Sequence, residues 1–534
     1  MSLLKELGKS EVEHLEVAEE NQRVDNLAAS MREGNGTGKR WWNVPYLCFL
    51  NWQIFVITLA STNNGYDSSM LNGLQSLPEW HTKMGNPTGS ILGALSNGTI
   101  FGALIAVIYI PWMADKFGRK FTIIFSQSFA VIGAILQGVS TNYGFFLASR
   151  IIIGLGSGAG AVCATLIAEL AYPTHREVAT TFYNVCWYLG AIIAAWVTYG
   201  TRHLHDGGHS WRIPSYMQGL IPLIQAVLMI WAPESPRYYV AKDQVEKARA
   251  VLTKYHIGGS TDPKDVAFVE FELNEFAAQI KDDAAHTQNS SYMDFVTDGR
   301  FRKRLGLIAS ICVFTQFSGN GLVSYYLSKV LNSIGITSTT RQLQINGCLM
   351  IYNFVISAFV ASVVNRFKRR HMFLTSVGLM MLFYIIWTIL SALNQKNDFK
   401  DKGLANGVLA MIFLYYCAYD IGANGVPYLY VTEILPYSHR VKGLNIMTFL
   451  TMVILIFNGF VNPVAMDAID WKYYIVFCCV NAVMLAVVWF FFVETSGYTL
   501  EEVEQVFDAS AREKYAHNVV LAHDTDSFSG KGSV

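Results

Sequence analysis

Twelve apolar runs, each about long enough to cross the hydrocarbon core of a bilayer as a helix, constrain this chain more than any other feature. They lie near 46–66, 88–111, 121–140, 144–168, 178–200 and 213–232, then near 305–330, 343–364, 371–392, 404–430, 442–463 and 473–493. Lipid offers no hydrogen-bond partners, so each run must satisfy its own backbone and can only be a helix. Composition agrees: 52% of the 534 residues are hydrophobic and 15% are charged, against about 25% charged in a typical soluble domain.

The polar punctuation between the runs is duplicated. Ala114-Asp115-Lys116-Phe117-Gly118-Arg119-Lys120 follows the second run, and Val364-Asn365-Arg366-Phe367-Lys368-Arg369-Arg370 follows the eighth. Glu169 and Arg176 follow the fourth run, and Glu433 and Arg440, at the same spacing, follow the tenth. Pro233-Glu234-Ser235-Pro236-Arg237 follows the sixth and Val493-Glu494-Thr495-Ser496-Gly497 the twelfth. The offsets are 250 (115 to 365), 264 (169 to 433) and 260 (234 to 494). Charged clusters recurring after every second run imply two homologous halves in a membrane, an organisation of transporters whose substrate site lies between the halves.

Lys and Arg in short loops set orientation. Loops 2–3, 4–5, 8–9 and 10–11 are basic, as is Lys39-Arg40 before the first run, whereas Ser140 to Tyr143 has no basic residue. The cluster loops and both termini are therefore expected on the cytoplasmic side. The expected division is a tail over 1–45, a first bundle over 46–237, a linker over 238–304, a second bundle over 305–497 and a tail over 498–534. Within the linker, Val240 to Tyr255 and Val266 to Ile280 predict two amphipathic helices. The start of the chain lacks the basic beginning and apolar core of a signal peptide. The eight cysteines fall in or beside apolar runs, without zinc-site or disulfide-framework spacing. No net charge means no case for nucleic-acid binding. His203, His205 and His209 share a loop with Asp206, but no metal site or cofactor is assigned. Of the sequons, Asn35 and Asn289 are expected on the cytoplasmic side and Asn97 within a helix, so glycosylation is not expected.

These motifs, in this order, resemble the sugar porter family of the major facilitator superfamily over roughly Tyr46 to Phe507. The matching pieces are Gly65-Tyr66-Asp67, the Asp115 to Lys120 cluster, Arg150 with Gly154, Gly156 and Gly158, and Pro233 to Arg237. The last is Glu494-Thr495-Ser496-Gly497 with Thr499-Leu500-Glu501-Glu502. Within the family, Gln316-Phe317-Ser318-Gly319-Asn320 followed by Tyr325-Tyr326, and Trp471-Lys472-Tyr473-Tyr474, look like fungal lactose permeases and cellodextrin transporters. The resemblance implies an all-α membrane fold of two six-helix bundles, working as a monomer in the plasma membrane.

Ionisable groups inside a bundle are costly, so they pair or serve a pathway. The resemblance places Asp67, at the end of helix 1, opposite Arg150, at the start of helix 4, where proton-coupled family members use such a pair. Arg⁺ holds the carboxylate as an anion, and an incoming proton would release it. A fixed ion pair in a uniporter is the competing account. The resemblance also places Asn184, Gln316, Asn320, Tyr428 and Thr451 at a sugar site, with Tyr325 and Tyr326 either gating its outer mouth or packing. Thr315 replaces the first of the family's paired glutamines, Asn320 sits one residue early, and Tyr428 stands where a Trp is common. Each departure shortens or moves a side chain, which suggests a roomier pocket suited to a disaccharide. Ordinary interhelical hydrogen bonds are the alternative for each polar residue.

In this family the charged clusters hold the cytoplasmic face shut in the outward-facing state. Asp115, Arg119, Glu169, Arg176, Glu234 and Arg237 are thus expected to face Arg369, Glu433, Arg440 and Glu494. Asn365 and Lys368 depart from the usual Asp and Gly and would loosen this lock. No catalytic constellation is present, and the glycines at 154 to 160 fit close helix packing rather than a phosphate loop. The expectation is a transporter importing a sugar such as lactose or cellobiose with a proton, the first half sensing the proton and the second holding most of the sugar. A facilitative uniporter and a non-transporting sugar receptor are the rivals; a receptor would need a long cytoplasmic tail, and few residues follow Phe507.

Overall fold

The computed structural model describes residues 41–204, 208–288, 291–363 and 366–496, together with Phe507. Both tails, the sequons at Asn35 and Asn289, His205, Asp206, Asn365 and the Thr499 to Glu502 motif lie outside the described residues. Twelve membrane helices follow the apolar runs. The first six are α1 (Pro45–Leu74), α2 (Gly89–Phe117), α3 (Arg119–Val139), α4 (Tyr143–Ser157, resuming as Gly160–Leu170), α5 (Arg176–Thr201) and α6 (His209–Met217, resuming as Leu220–Met229). The second six are α7 (Gly299–Phe317, resuming as Asn320–Asn332), α8 (Thr339–Val363), α9 (Arg369–Lys396), α10 (Lys402–Gly422, resuming as Val426–Ile434), α11 (Tyr437–Ile469) and α12 (Tyr473–Phe491).

Local chemistry sets the ends and the breaks. Pro45 starts α1, where its missing N–H costs nothing. Asn142 caps α4 through Phe145 N, Asp298 caps α7 through Arg300 N, and Asp401 caps α10 through Gly403 N. Gly319 breaks α7 at φ 104°, and a Cβ there would lie 2.0 Å from Tyr384 Oη. Only glycine fits, so the backbone unwinds between Gln316 and Asn320. Such unwinding within a membrane is tolerated where it lines a cavity.

Among the described residues, nine stretches are long and apolar enough to cross a membrane, and Ser438–Phe491 contains both α11 and α12. Helices α1 and α6 are not among them. In α1 the cause is a set of buried polar residues, including Gln53, Asn63, Asp67 and Asn72, which face the protein interior rather than lipid. This helix runs two turns past the apolar run, so Asp67 lies inside it rather than at its end. Helices α1 and α5 cross at backbone contact: a Cβ on Gly65 would lie 1.8 Å from Trp187 O, and one on Gly190 1.7 Å from Thr62 O.

The linker forms Pro236–Ala241, Val245–His256, Pro263–Gln288 and Asp294–Thr297. The expected helix from Val240 is interrupted because Asp243 adopts φ 57°, and the second helix extends further than its apolar stripe. His256 fastens the linker beneath the first half, with Nδ1 2.7 Å from Glu272 Oε2 and Nε2 3.2 Å from Leu170 O. Asp294 fastens it to the second half, 3.0 Å from His439 Nε2 at the start of α11.

The halves meet tightly at the end away from the clusters. There Leu327 N donates to Asn72 Oδ1 (3.0 Å), Gln75 Nε2 to Tyr325 O (2.8 Å), Asn97 Nδ2 to Ile456 O (2.9 Å) and Gly89 N to Asp467 Oδ2 (3.3 Å). At the cluster end a cavity of about 770 Å³ separates them, lined by Glu169, Arg176 and Arg237 from one side and by Ser357, Asp420, Thr432 and Leu444 from the other.

Candidate functional site

Asp67 and Arg150 form a two-pronged pair, Nη1 to Oδ1 at 3.0 Å and Nη2 to Oδ2 at 3.1 Å. Arg150 lies within α4, in its second turn rather than its first, and is 1% exposed. Gln218 Nε2 from the break in α6 adds a bond to Asp67 Oδ1 (2.8 Å), and Thr99 Oγ1 from α2 adds one to Oδ2 (3.2 Å). Arg150 Nε donates to Leu95 O (2.8 Å). Four helices of the first half therefore converge on this one buried carboxylate. Each oxygen accepts twice.

A central cavity of about 360 Å³ is lined in α1 by Ser61, Ser69 and Asn72, on either side of Asp67 in the chain, though not by Asp67 or Arg150 themselves. Asn184, Gln316, Asn320, Tyr325, Tyr428 and Thr451 all line it. Tyr326 does not: it is fully buried, and its hydroxyl donates to Gly459 O at 2.6 Å. The reason is local, since the backbone leaves helical geometry at Tyr326 (φ −136°, ψ 30°) and turns adjacent tyrosines to different neighbours. Tyr325 faces the cavity while lying within electrostatic reach of both Asp67 and Arg150. Gln316 Nε2 lies 3.4 Å from Thr315 Oγ1, Asn320 Oδ1 accepts from Ser324 Oγ (2.8 Å), and Thr451 Oγ1 lies 3.6 Å from Cys312 Sγ. These weak or short-range partners leave amide groups for a ligand. Amides and hydroxyls among aromatic faces suit a polyhydroxylated ring.

Trp187, Tyr188, Asn353, Tyr416, Tyr419 and Asn424 also line the cavity, and the sequence reading passed over them. Six adjacent or lone polar residues in apolar runs carry no distinguishing pattern. Asp420 was also missed, although it is an acid inside the apolar run near 404–430 and so carries a signal of its own.

At the cluster end the duplication becomes geometry. Glu234 accepts from the backbone N–H groups of Arg119 and Lys120 (3.0 Å each), as Glu494 does from Arg369 and Arg370 (2.8 and 3.1 Å). Arg119 pairs with Glu169 at 3.3 Å, and Arg369 pairs with Glu433 at 3.3 Å. Asp115 joins Arg119 at 3.6 Å from a largely exposed position. These pairs run within each half, not across, and Arg176 and Arg237 line the cavity between them; Arg440 sits in the first turn of α11. The cavity parts the halves at this end, whereas the expected facing of the clusters belongs to the opposite, outward-facing state. Burial raises the Glu234 carboxyl above its ordinary value, against the pull of its backbone donors and Arg119. The Gly118-to-Lys368 departure also has a cause. Gly118 sits at φ 97°, where a Cβ would lie 2.3 Å from Glu234 Oε2; Lys368 sits at φ −68°, which any residue adopts.

The profile of the family described as "Sugar (and other) transporter" matches residues 53–507. The chain belongs to that family. The "MFS-type transporter oryC" of Aspergillus oryzae is 28% identical over 473 residues, covering 85% of this chain and 86% of the relative. The "High-affinity glucose transporter" of Kluyveromyces lactis is 24% identical over 475 residues, covering 85% and 84%. Among solved structures, the proton:xylose symporter XylE bound to 6-bromo-6-deoxy-D-glucose matches with a TM-score of 0.68 at 19% identity, covering 86% of this chain and 99% of that one. Inward-open XylE from E. coli gives 0.71 at 21%, covering 86% and 100%. These matches show the fold of two six-helix bundles, and the relatives are transporters rather than enzymes. This sugar transporter family chain is a multi-pass membrane protein.

Proposed function

We propose that this protein imports a sugar across the plasma membrane together with a proton, by alternating access between its two bundles. The observation that carries the reading is the buried, fully bonded Asp67–Arg150 pair together with a cavity lined by amides, hydroxyls and aromatic rings. With the basic loops in the cytoplasm, the sealed end faces outside and the 770 Å³ cavity faces inside. The sugar we propose is a disaccharide such as lactose or cellobiose. The central cavity shares Asn184, Asn424, Gly425 and Tyr428 with the larger one, so a second ring has room to extend. Asp67, Arg150 and Tyr325 couple proton and sugar; the residues lining the central cavity bind the sugar; and the charged clusters close the inner face in the opposite state.

The second reading is a facilitative hexose carrier, favoured by the high-affinity glucose transporter relative. A competition uptake panel across glucose, xylose, galactose, lactose, cellobiose and maltose in transport-null cells separates the two. Displacement by disaccharides, with alkalinisation of the medium when sugar is added to de-energised cells, supports the proposal. Displacement by hexoses alone, without alkalinisation, supports the facilitative carrier. Signalling with no uptake of any sugar identifies a receptor.

A further inference from the structure

Asp420 is a buried acid of the second bundle, and its surroundings are the opposite of those of Asp67. It lies in α10 at 2% exposure, in the wall of the cluster-end cavity. Its Oδ1 accepts from Tyr188 Oη of α5 at 2.8 Å and from Asn424 Nδ2 at 2.9 Å. Asn424 Nδ2 also lies 3.3 Å from Tyr188 Oη and 3.3 Å from Ser357 Oγ of α8. The cluster thus joins the first half to the second at mid-depth. Oδ2 is buried with no hydrogen-bond partner among the described residues, and no cation pairs with the carboxyl.

The titratable groups around it are Tyr188 from α5, Tyr352 from α8 and Tyr415, Tyr416 and Tyr419 from α10 itself. All are neutral phenols. Glu169, Arg176 and Arg237 line the same cavity but do not pair with it. An isolated carboxylate in such a place carries a large desolvation cost, and a proton on Oδ2 removes both the charge and the need for a cation. We propose that Asp420 is a second proton-binding site: its carboxylate takes up one proton at Oδ2 from the inner cavity and holds it in this conformation. The Oδ1 bond to Tyr188 ties that proton to the way the two halves meet. The inference rests on substrate passing between the halves, and it does not require Asp67 to be the coupling group.

Infrared difference spectroscopy on the full-length protein in proteoliposomes reads this directly. Ordinary carboxyls, with pKa values near 4, are ionised at about pH 7, so a carboxylic-acid C=O band there reports an unusual group. The wild type is expected to show such a band. Asp420→Asn should lose it, and Tyr188→Phe should shift its frequency by removing the hydrogen bond to Oδ1. A monodisperse elution profile and an unfolding temperature near the wild type certify the fold of each variant, and the dependence of counterflow on internal pH should flatten in Asp420→Asn. A band that survives in a folded Asp420→Asn protein, or a wild type with no band, overturns the inference. Wild-type protein that shows the band yet moves no sugar would instead sink the transport reading and leave the proton site standing.

Discussion

Replacing Asp67 by Asn tests the coupling pair most directly. The substitution removes the negative charge but keeps the shape, so Asn Oδ1 still accepts from Arg150 while its amide group turns hydrogens toward a guanidinium that also has only donors. Arg150, 1% exposed, is then left charged with Leu95 O as its nearest remaining acceptor. Breaking a buried pair from one side typically costs about 3–5 kcal/mol, so lower yield is expected, and folded protein must be shown by sugar counterflow. The functional loss is larger and separable. One proton moving through about 100 mV supplies about 2.3 kcal/mol, which sustains an accumulation of about 40-fold at about 1.4 kcal/mol per tenfold. In proteoliposomes held at that potential, wild type should concentrate labelled sugar toward this limit. Asp67→Asn should exchange sugar yet stop near equal concentrations inside and out. Accumulation by the variant at the wild-type ratio would mean that the pair is a fixed strut and that the proton, if any, binds elsewhere.

Other consequences follow from the packing and the clusters. Asn184→Gln adds a methylene at the junction of the two cavities and should raise the KM for disaccharides about 10-fold or more, within the ~1–3 kcal/mol of one misplaced methylene, while leaving hexose uptake alone; equal effects on both would dissociate Asn184 from selectivity. Gly65→Ala places a Cβ 1.8 Å from Trp187 O, so α1 and α5 must part. Its cost should exceed the usual ~1–3 kcal/mol of overpacking, visible as a clear fall in Tm of the solubilised protein. Glu234 titrates above its ordinary 4.5 because it is buried, so the folded protein binds this proton more tightly than the unfolded chain. Its contribution to stability is therefore fully present below that ordinary value and is lost as pH rises through the raised one. Unfolding temperature scanned against pH should show this decline in the wild type and a flatter profile in Glu234→Gln.

Much of the fold is legible in the chain because lipid leaves so few choices. A long apolar run between basic loops can only be a helix, and the twelve runs map onto α1 to α12 with shifts at their ends. The failures share a cause. Polar residues read as the end of a membrane segment are, in α1, the lining of an interior: Asp67, Ser69 and Asn72 continue the helix because they face the bundle, not water. The break in α7 turns on Gly319, and periodicity alone does not reveal whether a glycine is unwound or merely packed. Tyr325 and Tyr326 look equivalent in the sequence, and a single non-helical residue sends one to the cavity and the other into the core. The charged clusters were legible as repeats, but which acid meets which base depends on how far the halves have parted, and that belongs to a conformational state rather than to a sequence.

The halves divide the work unevenly, though less cleanly than the repeat suggests. The Asp67 network of Thr99, Arg150 and Gln218 belongs wholly to the first half. Of the described residues lining the central cavity, Ser61, Ser69, Asn72, Asn184, Trp187 and Tyr188 come from that half, so most of the lining comes from the second. A strict split would leave nothing to tell one half what the other has bound. Two tyrosines reach from one half to an acidic group of the other. Tyr325, from the second half, faces the cavity within reach of the first half's ion pair. Tyr188, from the first half, bonds the second half's lone acid. Each places a hydroxyl of one bundle where it senses charge in the other. If both relay, Tyr325→Phe and Tyr188→Phe should lower the sugar accumulation ratio reached at a fixed potential, and the double variant should lose more than either alone. Additive losses would mark two separate relays, and a double variant no worse than the stronger single one would place both tyrosines on one path.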